Sequence, residues 1–507
     1  MTLPTARLAN APLPVDAWTP ESAATTLSLR PSHRLRLHAG EARRGLRPLL
    51  TLALPLIVST GCFALTLFID RTLLLWFDPD HAGAAMAAGN LYWTAACLPV
   101  MAIGYLSTIV AQADGGRRQR SIGPAIWQSV WLTAAMLPLC GLGMLLAGPL
   151  FASMGHAPGL ASIEAAFFRL LMLVAPGAML EAGLSAFYVG RGETRPVMQA
   201  NIAATVVNLL LDAVLIFGLL GLPAMGAVGA AIATAAAMWI KVVWYAVGIG
   251  RAGGLGSPDD ASDETSTDDY GLRQWQPNRS LLGAIVSGGG TLGVQQMLRS
   301  GAISGVLAAV GQIGASALAA SSLVMSLVQL ATIPLIGLAT AVTVLSGQRL
   351  AQRGTPRASW SIVSGGLFLS LAVLVPLSVV AIGTPGVIVD AFAVGPGANE
   401  IAALGPQVQP LLLLGAVLLV LDTVAQLVAA ALRGLGAVRP LFLSTAIASG
   451  VVLMLVPLCV GQLEALWSLL LVWTAIQAVG CGVSLWRQPV QATSLPLFDA
   501  DRVNQAA

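Results

Sequence analysis

Three carboxylates lie in stretches of sequence that are otherwise strongly apolar: Asp70, Asp212 and Asp422. A charged residue at the centre of a bilayer costs at least about 2.5–3.5 kcal/mol on insertion scales, so each acid requires a partner or a function. Removal from water favours the neutral form of a carboxyl group, which allows proton uptake and release near neutral pH. Sodium is the alternative ligand, because hard cations prefer oxygen donors.

Asp212 ends a polar stripe on one predicted helix. The stripe contains Asn201, Thr205, Asn208 and Asp212, which are spaced i, i+4, i+7 and i+11. This spacing places the four side chains on one helical face. Such a face is unfavourable against lipid, so we expect it to line a wet cavity. Asn208 and Asp212 are one turn apart, a spacing that suits a shared proton or a bound cation.

Two other apolar segments carry similar patterns. Thr66 and Asp70 lie one turn apart in the first segment, and Asp422 and Gln426 share a face of a later one. The alternative to a functional role for these acids is a structural ion pair with an arginine. The candidate arginines are Arg71, Arg169 and Arg299.

Arg299 is itself unusual, because it lies deep in an apolar segment and close in sequence to Gln296. Two interpretations are open. Arg299 either neutralises an acid such as Asp422 or contacts an anionic substrate. Lys241 is expected near the end of its helix, with its charge reaching the interface.

The elements that position these residues follow from composition. The chain is 56% hydrophobic and only 10% charged over 507 residues, whereas soluble domains carry roughly 25% charged residues. Apolar stretches long enough to cross a bilayer recur from residue 49 to 486, and the length criterion of about 20 residues gives about twelve of them. Spanning segments of this kind are helical, because lipid cannot satisfy free backbone groups. We therefore predict an all-α, multi-pass integral membrane protein surrounded by lipid.

Other classes of protein fit poorly. The five cysteines have no paired spacing and the four histidines lie outside the predicted spans, so we expect no metal, no cofactor and no catalytic triad. No basic stripe alternates with aromatic residues, which argues against nucleic-acid binding. An integral-membrane transferase would need clustered Asp or His at an interface, and a passive channel would not explain lone buried acids. We expect a protein that is not an enzyme.

Loop charges predict the orientation. Arginines concentrate in the N-terminal tail and in the even-numbered loops between the predicted spans, which we call the Arg-rich loops. The odd-numbered loops hold acids or no charge. The positive-inside rule therefore places both termini in the cytoplasm of a cell whose inner (cytoplasmic) membrane holds the chain. The predicted domains are a disordered tail (1–48), an N-lobe (49–250), an acidic linker (251–279), a C-lobe (280–487) and a C-terminal tail (488–507).

The two lobes repeat one another. Gly192-Glu-Thr-Arg-Pro196 has a counterpart in Gly436-Ala-Val-Arg-Pro440, and Gln112 ends a span before an Arg-rich loop as Gln348 does. Six spans per lobe make this a parallel repeat, so the prediction is two six-helix bundles related by a pseudo-two-fold axis along the membrane normal. Such an architecture places a substrate cavity between the bundles.

These residues resemble the multidrug and toxic compound extrusion (MATE) family. The similarity includes Ala53-Leu-Pro55 with Phe68-Ile-Asp70, Gly192–Gly218, Gly226–Thr234, and Asp422-Thr-Val-Ala-Gln426 with Leu432-Arg-Gly434. The resemblance implies a monomeric antiporter that expels cationic or amphipathic organic compounds in exchange for protons or sodium by alternating access.

The resemblance also implies roles for single residues. Asp70, Asn208, Asp212 and Thr234 match the family's amino-lobe cation site, and Asp422 matches its carboxy-lobe acid. Thr66, Asn201, Thr205, Gln296, Arg299 and Gln426 are the expected cavity residues. Gln296 replaces a glutamate of the NorM branch, which favours coupling through the N-lobe. A lipid-linked oligosaccharide flippase of related fold is the alternative function.

Overall fold

The computed structural model describes residues 31–154, 157–252, 270–353, 358–392 and 405–487, and the regular structure within these ranges is helical. The predicted C-terminal tail (488–507), the first 30 residues of the predicted tail and residues 253–269 of the predicted linker lie outside the described residues.

The N-lobe contains seven helical segments. They are α1 (Pro31–Phe77), α2 (Pro79–Gly104), α3 (Leu106–Gly115), α4 (Ile122–Ser153), α5 (Pro158–Gly190), α6 (Thr194–Phe217) and α7 (Ala227–Ala252). Segments α2 and α3 form one span with a break at Tyr105, so the lobe has six spans, as predicted.

The C-lobe repeats this plan. Its segments are α8 (Arg279–Ala284), α9 (Gly290–Ile313), α10 (Ala315–Arg353), α11 (Ala358–Gly383), α12 (Pro385–Phe392), α13 (Gly405–Gly434), α14 (Val438–Cys459) and α15 (Leu463–Trp486). A π-helical turn, Ile285–Gly289, joins α8 to α9. Gly192 and Gly436, which begin the repeated motif, adopt the same left-handed conformation, with φ of 79° and 74°.

Eleven helices in the described part of the chain are long and apolar enough to cross a membrane. The predicted seventh span is helical but is not among the eleven. Gln295, Gln296 and Arg299 lower the hydropathy of α9, which is expected of a helix that turns a polar face to the protein interior. The all-helical, two-bundle prediction is confirmed.

Two predicted boundaries differ from the structure. Helix α1 begins at Pro31 rather than near residue 49, because the Arg- and Leu-containing sequence before residue 49 has good helix propensity and extends the span beyond the apolar region. The end of the predicted flexible linker is ordered: Leu272 is buried, and Trp127 and Trp131 on α4 donate to the carbonyls of Leu272 and Trp275. Aromatic and apolar residues within 270–275 supply the buried surface that an acidic linker lacks.

The lobes join at one end of the molecule and separate at the other. One apolar cluster contains residues of both lobes, including Val110, Ala111 and Leu345 near the Arg-rich loops. Toward the opposite end there are two separate apolar clusters. One lies in the N-lobe and contains Phe168, and the other lies in the C-lobe and contains Trp467. The interlobe space is therefore closed at the end that carries the Arg-rich loops.

Candidate functional site

The N-lobe acids meet at the contact between α1 and α6. Asp212 is fully buried and Asn208 is 1% exposed, whereas Asp70 is partly buried. In the amide orientation that satisfies both of its polar atoms, Asn208 Nδ2 donates to Asp70 Oδ1 and to Asp212 Oδ2, each at 3.1 Å. One amide nitrogen therefore bridges the two carboxyl groups and holds their oxygens close together. Two ionised carboxylates at such a site repel each other, which favours one protonated and one ionised carboxyl group.

One buried oxygen of this cluster remains unused. Asp212 Oδ1 has no hydrogen-bond partner, and a buried acceptor without a partner is costly. The described residues contain no group of three or more His, Cys, Asp or Glu that could hold a metal ion. We call Asp70, Asn208 and Asp212 the N-lobe acid cluster; it presents two adjacent carboxyl groups, one of which has an unpaired oxygen.

The remaining N-lobe candidates are arranged around this cluster. Thr66 Oγ1 donates to Thr205 Oγ1 at 3.2 Å and so links α1 to α6 one turn from the acids. Asn201 donates within its own helix, to the carbonyl of Val197. Thr234 lies partly buried on α7, and no hydrogen bond within the described residues joins it to the acids. Of the four side chains in the predicted polar stripe of α6, Asp212 is the most buried.

In the C-lobe, Arg299 neutralises Asp422. Arg299 Nη2 lies 3.0 Å from Asp422 Oδ1. In the amide orientation that satisfies both of its polar atoms, the side-chain oxygen of Gln426 accepts a hydrogen bond from the same nitrogen at 2.9 Å. The guanidinium also lies over the Trp473 ring, 5.1 Å from its centroid. Of the two roles considered for Arg299, the ion pair is the one that this geometry displays.

A cavity of about 590 Å³ lies between the lobes. Gln296, Arg299 and Gln426, which were predicted to line a cavity, do line it together with Asp422. Thr66, Asn201 and Thr205 do not belong to this lining. Thr66 and Thr205 instead bond to each other at the α1–α6 contact inside the N-lobe. The predicted site residues thus form two separate groups, one in each lobe.

Three charged residues of this region were missed or misinterpreted. Glu181 on α5 and Arg433 at the end of α13 both line the cavity. Lys241, predicted to reach the interface, instead lies 3.7 Å from Glu181 and is largely buried. An acid within an apolar span was the signal for Glu181, and it was available in the sequence.

Comparisons with known proteins agree with this arrangement. A family profile described as MatE matches residues 55–214 and 296–458. Multidrug resistance protein PmpM of Pseudomonas aeruginosa is 27% identical over 317 residues, which cover 62% of this chain and 64% of that protein. The probable multidrug resistance protein NorM of Xanthomonas campestris is 28% identical over 410 residues, covering 78% of this chain and 82% of that protein.

Solved structures share the fold. An outward-facing multidrug resistance transporter of the MATE family superposes with a TM-score of 0.73 at 18% identity, covering 87% of this chain and 95% of that one. A MOP superfamily transporter from Pyrococcus furiosus gives a TM-score of 0.72 at 18% identity, with the same coverage. The two matched profile segments fall in separate lobes and leave out the segment between residues 214 and 296, which joins the lobes.

Proposed function

Because the chain belongs to the MATE family of multidrug transporters, we propose that it exports small amphipathic organic compounds in exchange for a cation that binds at the N-lobe acid cluster. Members of this family are transporters rather than enzymes, and a multi-pass helical chain fits that role. The observation that carries the proposal is the buried pair of carboxyl groups, Asp70 and Asp212, bridged by Asn208.

A proton is the coupling ion that this geometry favours over sodium. Asn208 Nδ2 contacts both carboxyl groups, so ionisation of both would place two negative charges side by side. One bound proton removes that repulsion, which a single neutral amide does not offset. Asp422 is less suited to coupling, because Arg299 already compensates its charge.

The exchange follows from the two-lobed architecture. The lobes are joined by one shared apolar cluster near the Arg-rich loops. If those loops are cytoplasmic, as the positive-inside rule predicts, this conformation is open to the outside. Proton binding at the acid cluster would then favour one arrangement of α1 against α6, and substrate the other, which gives alternating access. We place the protein in the inner membrane as a monomer, with both termini in the cytoplasm.

Efflux from intact cells tests the proposal. Cells expressing the wild type or a single variant (Asp70→Asn, Asp212→Asn or Asp422→Asn) are loaded with a fluorescent amphipathic dye, and proton and sodium gradients are imposed separately. We expect proton-driven efflux that the two N-lobe substitutions abolish and that Asp422→Asn only reduces. Asp80→Asn, an exposed acid at the start of α2, is the matched control. If sodium alone drives efflux, sodium takes the place of the proton in this scheme. If neither gradient drives efflux of any dye, the proposed function is refuted.

A further inference from the structure

The interlobe cavity has a mixed lining. Most of its lining surface is apolar, with Val100, Leu292, Leu335 and Ile336 among the contributors. Polar side chains of both lobes interrupt it, among them Thr108 of the N-lobe and Arg433 of the C-lobe. A compound that fills this space therefore needs an apolar body and a compact polar group.

The charges around the cavity do not balance. Arg299 is paired with Asp422 at 3.0 Å, and Glu181 is paired with Lys241 at 3.7 Å. Arg433 is the cavity-lining charge for which the described residues provide no oppositely charged partner. Because Lys241, which is outside the lining, already compensates Glu181, the positive charge of Arg433 is left without an acidic partner.

Hydrogen bonding leads to the same residue. Arg433 Nε is buried and has no hydrogen-bond partner within the described part of the chain. Arginine is always charged and presents its N–H groups in a planar fork that matches a carboxylate. An orphaned guanidinium N–H at a cavity wall costs free energy until an acceptor arrives.

We infer that the interlobe cavity binds amphipathic compounds that carry one carboxylate, with the carboxylate on Arg433 and the apolar body against the α9 and α10 wall. This inference rests on the proposed transport function, since it names the class of compound carried. One free positive charge matches a singly charged anion, whereas a phosphate monoester would bring a second, uncompensated charge into the cavity. Thr108 adds a hydroxyl group to the same lining.

Equilibrium binding to the purified full-length protein in nanodiscs tests the inference. Three fluorescent probes share one dansyl group: a dansylated aliphatic amino acid with its free carboxylate, the primary amide of the same compound, and dansylcadaverine, which is a cation. We expect the carboxylate to bind at least tenfold more tightly than its amide and more tightly than the cation. Equal affinity of the carboxylate and the amide, or preference for the cation, would overturn the inference.

Substitutions assign the effect to Arg433. Arg433→Gln should remove the preference for the carboxylate over the amide while the affinity for the amide stays within twofold, and Arg433→Lys should retain part of it. Arg439→Gln, an exposed arginine of the same lobe, is the control and should bind like the wild type. If Arg433→Gln does not fold, Gln296→Glu provides a second test, because a negative charge in the lining should weaken binding of the carboxylate at least tenfold. An unchanged carboxylate preference in either folded variant would contradict the assignment.

The outcome is separable from that of the efflux experiment. Carboxylate binding without gradient-driven efflux would refute antiport but keep the ligand class. Proton-driven efflux of a cationic dye, together with preferential binding of dansylcadaverine, would keep antiport and refute the ligand class.

Discussion

Gln112 and Gln348 occupy equivalent positions in the two lobes, and each donates to a backbone carbonyl of the opposite lobe. Gln112 Nε2 donates to Gly434 O at 2.9 Å, and Gln348 Nε2 donates to Gly190 O at 3.1 Å. The acceptors are equivalent too, since each glycine ends the helix that precedes the repeated motif. These reciprocal bonds, which we call the glutamine clasps, lie at the closed end of the interlobe space.

Breaking a clasp should favour opening of that end. A hydrogen bond contributes about 1 kcal/mol net, so Gln112→Ala should shift the closed–open equilibrium about fivefold. Gln348→Ala should shift it further, because Gln348 Nε2 also donates to Asp114 Oδ2 of the N-lobe at 3.1 Å. The measurement is the alkylation rate of a cysteine introduced at Ser346, which is fully buried near Gly434, in a protein whose native cysteines are replaced. We expect the rate to rise about fivefold in Gln112→Ala and by more than that in Gln348→Ala.

The control for the clasps is Gln477→Ala. Gln477 is also buried and donates to Thr445, but both residues belong to the C-lobe. This variant should leave the alkylation rate unchanged. Equal rates in all three variants would mean that the clasps do not hold the lobes together.

Gly115 should not tolerate a side chain, because the two lobes approach each other closely there. A methyl group added there would lie 2.6 Å from the Cα of Gln348, and the obstructing atoms are backbone atoms that cannot rotate away. Gly115→Ala should therefore separate the lobes and raise the alkylation rate at position 346 beyond that of either glutamine variant. Gly290→Ala, where the added methyl group meets no atom within 4 Å, should match the parent protein.

The repeat and the helical class could be predicted from sequence because they depend on composition and on local patterns. The span lengths, the Gly-x-x-Arg-Pro motifs and the acid stripe of α6 are all visible without a structure. The clasps were not predictable, since they join residues of opposite lobes through backbone carbonyls, and any residue type can provide such an acceptor. Only the equivalence of Gln112 and Gln348 was visible.

The charge pairing of the cavity was only partly predictable for a related reason. Neutralisation of an acid was one of two interpretations of Arg299, and its pairing with Asp422 depends on how α9 packs within the C-lobe. The pairing of Lys241 with Glu181 depends on the rotation of α7 against α5, which an almost uniformly apolar sequence does not specify. For that reason the uncompensated charge of Arg433 emerges only when the pairs are known.

Asp212→Asn should separate function from stability. Asp212 is fully buried, and its Oδ1 lacks a hydrogen-bond partner, so an amide of the same shape removes a costly buried acid. We expect the melting temperature in detergent to stay the same or rise by a few degrees, while proton-driven efflux falls at least tenfold.

Asn208→Ala provides the contrast within the same cluster. It removes the donor that bridges Asp70 and Asp212, so we expect a loss of about 1.5–3 kcal/mol of stability. A destabilised Asp212→Asn variant would contradict the view that Asp212 is retained for transport at the expense of stability.

The Arg299–Asp422 pair should behave as a structural unit. Arg299 and Asp422 side chains are 20% and 9% exposed, and their nearest atoms are 3.0 Å apart. Asp422→Asn leaves the guanidinium without its countercharge, so thermal unfolding in detergent should show a loss of about 1.5–3 kcal/mol. The double variant Arg299→Gln with Asp422→Asn should recover most of that loss, because it removes the stranded charge together with its partner.

The same double variant tests which lobe carries the coupling. If the N-lobe acid cluster holds the transported proton, a neutral pair in the C-lobe should still support proton-driven efflux, at a reduced rate. Additive losses of stability from the two substitutions would show that the residues do not act as a pair. Complete loss of proton coupling in a folded double variant would place the proton on Asp422 instead.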